Sequence, residues 1–176
     1  ANAGDVIVLL PGTHSAAAGT INCDVAGVTM LGTGHRHDGV MELRSPKTIL
    51  QGSTGTNTGL ADDLVNITAS GVEIGYVEAR PTMGFDAVCF ETESALTGLY
   101  FHHFKLDMET ASVSTKTRGI NFGHRAVRAG SDYGLMGSIA TATISATIED
   151  LYAVADGAQG PAIEFATCFV VVRRAE

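Results

Sequence analysis

The residues able to do chemistry fall in a few short stretches. Gly34-His35-Arg36-His37-Asp38-Gly39 is the densest of them. Neutral imidazole and carboxylate suit zinc-like ions, so His35, His37 and Asp38 form a candidate metal site. Two histidines two apart on a loop lack the fixed geometry of a helical i, i+4 pair, and no third ligand is evident. A solvated turn is the plainer reading, and no metal or other cofactor is expected. Asp62-Asp63 is a paired carboxylate of the type that glycoside hydrolysis uses as acid and nucleophile or base. Lyase chemistry needs Arg or Lys beside carboxylates. Arg44, Lys47, Arg80, Lys116 and Arg118 read as scattered loop residues with no carboxylate pair beside them. His102-His103 reads as a bend between two strands rather than a ligand pair. The segment 123–137 departs from the pattern around it and is read as a loop insertion. Its His124, Arg125, Arg128 and Tyr133 are the candidates for contact with a ligand or a neighbouring subunit, because function concentrates in such insertions.

The elements that must position these residues are short strands. The chain has 176 residues, 45% of them hydrophobic and 17% charged, with 21 Gly and no Trp. At roughly 100–200 residues per domain, that is one domain or part of one. Low charge with abundant Gly, Ala, Thr, Val and Ile favours strands and tight turns over helices. The net charge of −8 argues against nucleic acid, whose binding requires Lys and Arg to displace counterions, and against an anionic membrane surface. Cys23, Cys89 and Cys168 are odd in number and far apart, which reads as three buried small hydrophobes rather than a disulfide framework. No stretch is apolar enough to cross a membrane as a helix. Ala1 reads as a processing product or a cut within a longer polypeptide.

A repeat organises the chain. Leu64-Val65-Asn66-Ile67, Ala87-Val88-Cys89-Phe90, Gly119-Ile120-Asn121-Phe122 and Ala162-Ile163-Glu164-Phe165 share one pattern, at intervals of 23, 32 and 43 residues. Placing Ala142 in the register divides the last interval in two. From Ala140 to Ile148 apolar and hydroxylic residues alternate, the mark of a strand with one buried face. A second series contains Val6-Ile7-Val8, Val28-Thr29-Met30, Thr48-Ile49-Leu50, Val72-Glu73-Ile74 and Leu99-Tyr100-Phe101. Two strands per unit without an intervening helix predict a solenoid of about seven coils stacked at the inter-strand spacing. Val8, Met30, Leu50, Ile74 and Phe101 should form one core column; Val65, Val88, Ile120, Ala142 and Ile163 should form another. Asn66, Cys89, Asn121, Thr143 and Glu164 should form an outward row. Gly12, Gly27, Gly32, Gly52, Gly71, Gly75 and Gly98 are expected at strand ends. Two alternatives weigh less. An immunoglobulin-like sandwich would show more hairpin signals, and a helix over Leu96 to Met108 would contain Gly98.

The opening Ala3-Gly4-Asp5-Val6-Ile7-Val8-Leu9-Leu10-Pro11-Gly12-Thr13-His14 resembles the first coil of the right-handed parallel β-helix, or pectate-lyase-like, superfamily. Ala95 to Asp107 looks like a later coil. The resemblance implies an all-β right-handed parallel β-helix over residues 1–176. It does not select a function, because that superfamily includes polysaccharide lyases, glycoside hydrolases, epimerases, adhesins and bacteriophage tailspikes. The polygalacturonases among them carry Gly-His-Gly, where this chain has Gly34-His35-Arg36. Uncharged, hydroxyl-rich faces, strands without caps at either end and no catalytic constellation point first to a structural segment of a bacteriophage virion, a tailspike, fibre or head-decoration protein. Such a protein would be homotrimeric or bound to other virion subunits, with host-surface polysaccharide as a further partner. It would act in the virion or outside the cell, without nucleic acid or membrane insertion. A polysaccharide lyase or glycoside hydrolase is the second expectation and a bacterial surface adhesin the third.

Overall fold

In a computed structural model the described part of the chain is all-β, built from two parallel sheets. The structure describes residues 1–15, 21–33, 48–51, 64–80, 86–90, 95–107, 118–124, 144–154, 163–165 and 168–175. Among them there is no helix. The larger sheet contains β1 (Val6–Leu9), β2 (Gly12–Ser15), β4 (Thr29–Gly32), β5 (Thr48–Gln51), β7 (Glu73–Arg80), β9 (Leu96–Asp107), β11 (Ile144–Val154) and β13 (Cys168–Ala175). The smaller contains β3 (Ile21–Cys23), β6 (Val65–Ile67), β8 (Asp86–Phe90), β10 (Arg118–His124) and β12 (Ile163–Phe165). From β6 onward the described strands alternate between the sheets, and each pairs in parallel with the next strand of its own sheet.

The register follows the repeat. In the smaller sheet Ile21 pairs with Val65, Val65 with Val88, Val88 with Ile120 and Ile120 with Ile163. That direct pairing of Ile120 with Ile163 leaves no rung for Ala142, which lies outside the described residues. Asn22, Asn66, Cys89, Asn121 and Glu164 are likewise in register. Asn66 is buried rather than exposed, and its amide donates to Asn22 Oδ1 at 3.3 Å.

In the larger sheet the inward column is Ile7, Met30, Ile74, Phe101, Ile148 and Val172. Its middle members are sealed and its end members are partly open. Two residues expected in this column lie elsewhere. Val8 pairs with Leu31, one position off, and Leu50 pairs with His14 and Ala79. The cause is a fork: the first half of β7 pairs with β4 and its second half with β5. Leu50, Ala79, Leu106 and Ala153 therefore make a separate column past the fork. Residues of both sheets merge into one apolar cluster, with Leu64, Val65, Ile67 and Ile120 from one side and Ile74, Phe101, Phe104 and Leu106 from the other. Each such side chain contributes about 1.5–3 kcal/mol by leaving water. Leu96 to Asp107 is strand throughout; burial alternates from Leu99 to Phe101 and from Phe104 to Asp107, and slips at Thr97-Gly98 and at His102-His103.

One set of turns is made by glycine. Gly4, Gly27, Gly71 and Gly98 all have φ between 68° and 84°. They stack from rung to rung: the Gly27 N–H donates to Ser70 O at 2.9 Å and the Gly71 N–H to Thr97 O at 2.8 Å. A Cβ on Gly71 would lie 3.3 Å from the Gly27 backbone. Gly98 lies inside β9 rather than at a strand end, and Gly75 also differs from the expected role. It lies inside β7, and a Cβ there would collide with the His102 ring.

Candidate functional site: a polar corner

Four non-glycine residues also have left-handed backbone: Tyr76 (φ 58°), His103 (φ 50°), Asp150 (φ 53°) and Arg174 (φ 50°). Their flanking pairs, Gly75 with His102 and Glu149, and Val77 with Phe104 and Leu151, put Tyr76, His103 and Asp150 at one level; Arg174 joins them between Arg173 and Ala175. The column runs across four long strands, β7, β9, β11 and β13. A non-glycine residue in this region costs roughly 1–2 kcal/mol, least for Asp and His. Side-chain contacts along the column oppose that cost. Tyr76 stacks on His103 with centroids 4.4 Å apart, and His103 Nε2 lies 3.6 Å from Asp150 Oδ2. The Arg174 guanidinium spans both Asp150 oxygens, from Nε to Oδ1 and from Nη2 to Oδ2 at 2.9 Å. The bond to Asp150 raises the affinity of Arg174 for its proton, so the cation is fixed.

The adjoining positions extend this line into a network on the side opposite the core. Thr29 Oγ1 donates to Glu73 Oε2 at 3.2 Å, and Glu73 Oε1 accepts from His102 Nε2 at 2.9 Å. The Nδ1 atoms of His102 and His103 are 2.8 Å apart. Tyr100 stacks on His102 and donates from Oη to Glu149 Oε2 at 2.9 Å; Glu149 Oε1 accepts from Arg174 Nη2 at 2.6 Å. Partial burial, then the bond to Glu149, raises the Tyr100 phenol above its ordinary value. Asp150 is only 3% exposed and His102 only 6%, so this is not a solvated turn.

Beyond the corner, a second cluster gathers on two of these strands, β7 and β9. Glu78, 2% exposed, accepts from Arg80 Nε at 2.5 Å and lies 3.4 Å from Lys105 Nζ. Asp107 Oδ2 is 3.6 Å from Lys105 and 3.7 Å from Arg80. Arg80 is therefore not a scattered loop residue: it closes β7 between two carboxylates. Two cations against two anions leave this cluster neutral.

Of the residues singled out by sequence, His124 is the last residue of β10, so the segment 123–137 begins within a strand. Arg118 opens that strand. Arg125, Arg128, Tyr133, His35, His37, Asp38, Asp62, Asp63, Arg44, Lys47 and Lys116 lie outside the described residues. His102 and His103 do not lie between two strands: both sit inside β9, His103 with left-handed backbone, and the structure joins them to Glu73 and Asp150. Among the described residues no group of three or more His, Cys, Asp or Glu could hold a metal ion. Cys23 is a buried free thiol whose pKa is pushed up to about 11 by burial and then by Asp24, which makes it a poor nucleophile. A usable signal for the corner existed. Aligning Val72-Glu73-Ile74 with Leu99-Tyr100-Phe101 places Gly75 over His102 and Tyr76 over His103.

The arrangement can bind and relay protons through paired imidazoles and carboxylates, and its cations are already held by anions of the same chain. Searches against protein-family models, curated proteins and solved structures return no match to this chain.

Proposed function

We propose that the chain is a segment of a right-handed parallel β-helix of about seven coils with a structural role in a virion, as part of a bacteriophage tailspike, fibre or head-decoration protein. The parallel pairing of repeat-related residues and the alternation between two sheets support the coil reading. One observation carries the structural role. The outermost strands of the larger sheet are apolar on exposed positions, Val6 at 59% and Val8 at 55% in β1, Phe169 at 75% and Val171 at 50% in β13. Exposed apolar strand edges are hazards unless something covers them, and in a fibre neighbouring subunits do so. Native mass spectrometry and limited proteolysis of the 176 residues test this. Trimers or higher assemblies, with β1 and β13 protected only in the assembly, agree with the proposal; a compact, protease-resistant monomer contradicts it.

A second reading has an observation of its own. Lys105 and Arg80 beside Glu78 and Asp107 supply the cations and carboxylates that cleavage of an acidic polysaccharide would use. Release of unsaturated products from acidic polysaccharides, lost in Lys105→Met, would establish it. The burial of Glu78 and the mutual neutralisation of the four groups favour the structural role.

A further inference from the structure

We propose that His102 and His103 form a two-ring pH switch that holds one proton between their Nδ1 atoms and opens the corner when a second arrives. The reasoning is a count of ring protons. An ionised carboxylate only accepts, so His102 Nε2, 2.9 Å from Glu73 Oε1, carries a hydrogen. A neutral His102 then presents a bare Nδ1 to His103. The 2.8 Å Nδ1 to Nδ1 separation is a hydrogen bond only if His103 supplies the proton. His103 Nε2 faces Asp150 Oδ2 at 3.6 Å, where a hydrogen is attracted and a lone pair repelled. Among the described partners, the best-satisfied state has three ring hydrogens, one on His102 and two on His103.

The surroundings hold that state in place. From β7, Glu73 accepts from His102 and Tyr76 stacks on His103. From β9 itself, Tyr100 stacks on His102, and Lys105 is engaged by Glu78 and Asp107. From β11, Asp150 faces His103, and Glu149 takes the Tyr100 hydroxyl. From β13, Arg174 occupies both Asp150 and Glu149, leaving the second anion of the corner partly neutralised, and Arg173 pairs with Glu149 along the backbone. Gly75 leaves the space that the His102 ring fills.

A fourth ring hydrogen sets two N–H groups against each other at a donor-to-donor distance of 2.8 Å, and the rings must part. Loss of the third leaves the His103 lone pair against Asp150 and removes the attraction without forcing the rings apart. The corner is therefore firmest with one excess proton and is broken from the acid side. The two protonation steps belong to the pair rather than to either ring.

The test is nitrogen-15 NMR of histidine-labelled protein across the pH range of imidazole titration, with His103→Asn as the comparison because Asn tolerates the left-handed backbone. The expected result is an Nε2-protonated His102 beside a doubly protonated His103, with proton uptake by the pair in two distinct steps. In His103→Asn the two steps collapse to one. Thermal unfolding should show an acid-side drop in midpoint that His103→Asn lacks. Two rings titrating independently with a common midpoint, or identical pH profiles for wild type and variant, would overturn the switch. If His103→Asn does not fold, the tautomers and step count of the wild-type protein decide the question alone.

Discussion

The molecule turns its larger sheet at two stacked columns of left-handed residues, and the two solve the same backbone problem differently. At Gly4, Gly27, Gly71 and Gly98 the conformation costs little because no Cβ is present, and the rungs approach closely. At Tyr76, His103, Asp150 and Arg174 every residue carries a side chain, so the strain persists only because ring stacking and ion pairing oppose it. The glycine corner is indifferent to pH. The polar corner depends on it, and its chemistry is the cost of placing titratable groups where glycine would do. Strain held by side chains in this way is a mark of a position with a further role, whereas the glycine column needs none.

Both corners clamp the core column that passes through Phe101, which packs edge-to-face on Phe104 with centroids 6.3 Å apart. Phe101→Ala should cost about 3–5 kcal/mol in urea unfolding and sets the scale for the corners. Gly71→Ala comes next. Its φ of 73° and the 3.3 Å approach to Gly27 predict a loss of about 2 kcal/mol, more than Gly98→Ala, where the nearest backbone is 3.8 Å away. Equal costs at the two glycines would mean that crowding adds nothing to backbone strain.

The smallest effect is alkaline. Because the folded state raises the Tyr100 phenol, the unfolded chain ionises first, and stability falls as the pH rises above the ordinary tyrosine value. Cys23 obeys the same sign: its stabilising effect is intact below the ordinary thiol value of 9.0 and is lost as the pH climbs towards about 11. Comparing Tyr100→Phe with its parent in a Cys23→Ala background isolates the corner. The variant should lose part of the alkaline slope, and an unchanged slope would remove Tyr100 from the network.

The strands were readable because period-two alternation and the spacing of Val65, Val88, Ile120 and Ile163 both survive in the register. The columns were less so. Ala142 fitted the arithmetic of a repeat, yet Ile120 pairs straight to Ile163 because repeat units differ in length and the surplus lies between strands. Leu50 was misplaced by the fork at β7, which no local pattern signals. Glycine advertises a left-handed turn, while Tyr76, His103, Asp150 and Arg174 share no residue type and become a set only once the rungs are aligned. Asp150 was not singled out, and His102 was read as part of a bend, for the same reason: a left-handed residue puts two neighbours on one side and breaks the alternation that would have marked them as packed.

Asp150 offers the most direct measurement, since glycine there relieves the backbone while removing the same carboxylate as alanine. Both variants take the Asp150 carboxylate away from Arg174 and His103, so both should be less stable than the wild type, Asp150→Ala by about 2–3 kcal/mol. Asp150→Gly should recover roughly 1 kcal/mol of that loss. A stability order of wild type, then glycine, then alanine is the predicted result. Alanine equal to or above glycine, or either variant as stable as the wild type, would contradict a corner whose strained backbone is held by its side chains.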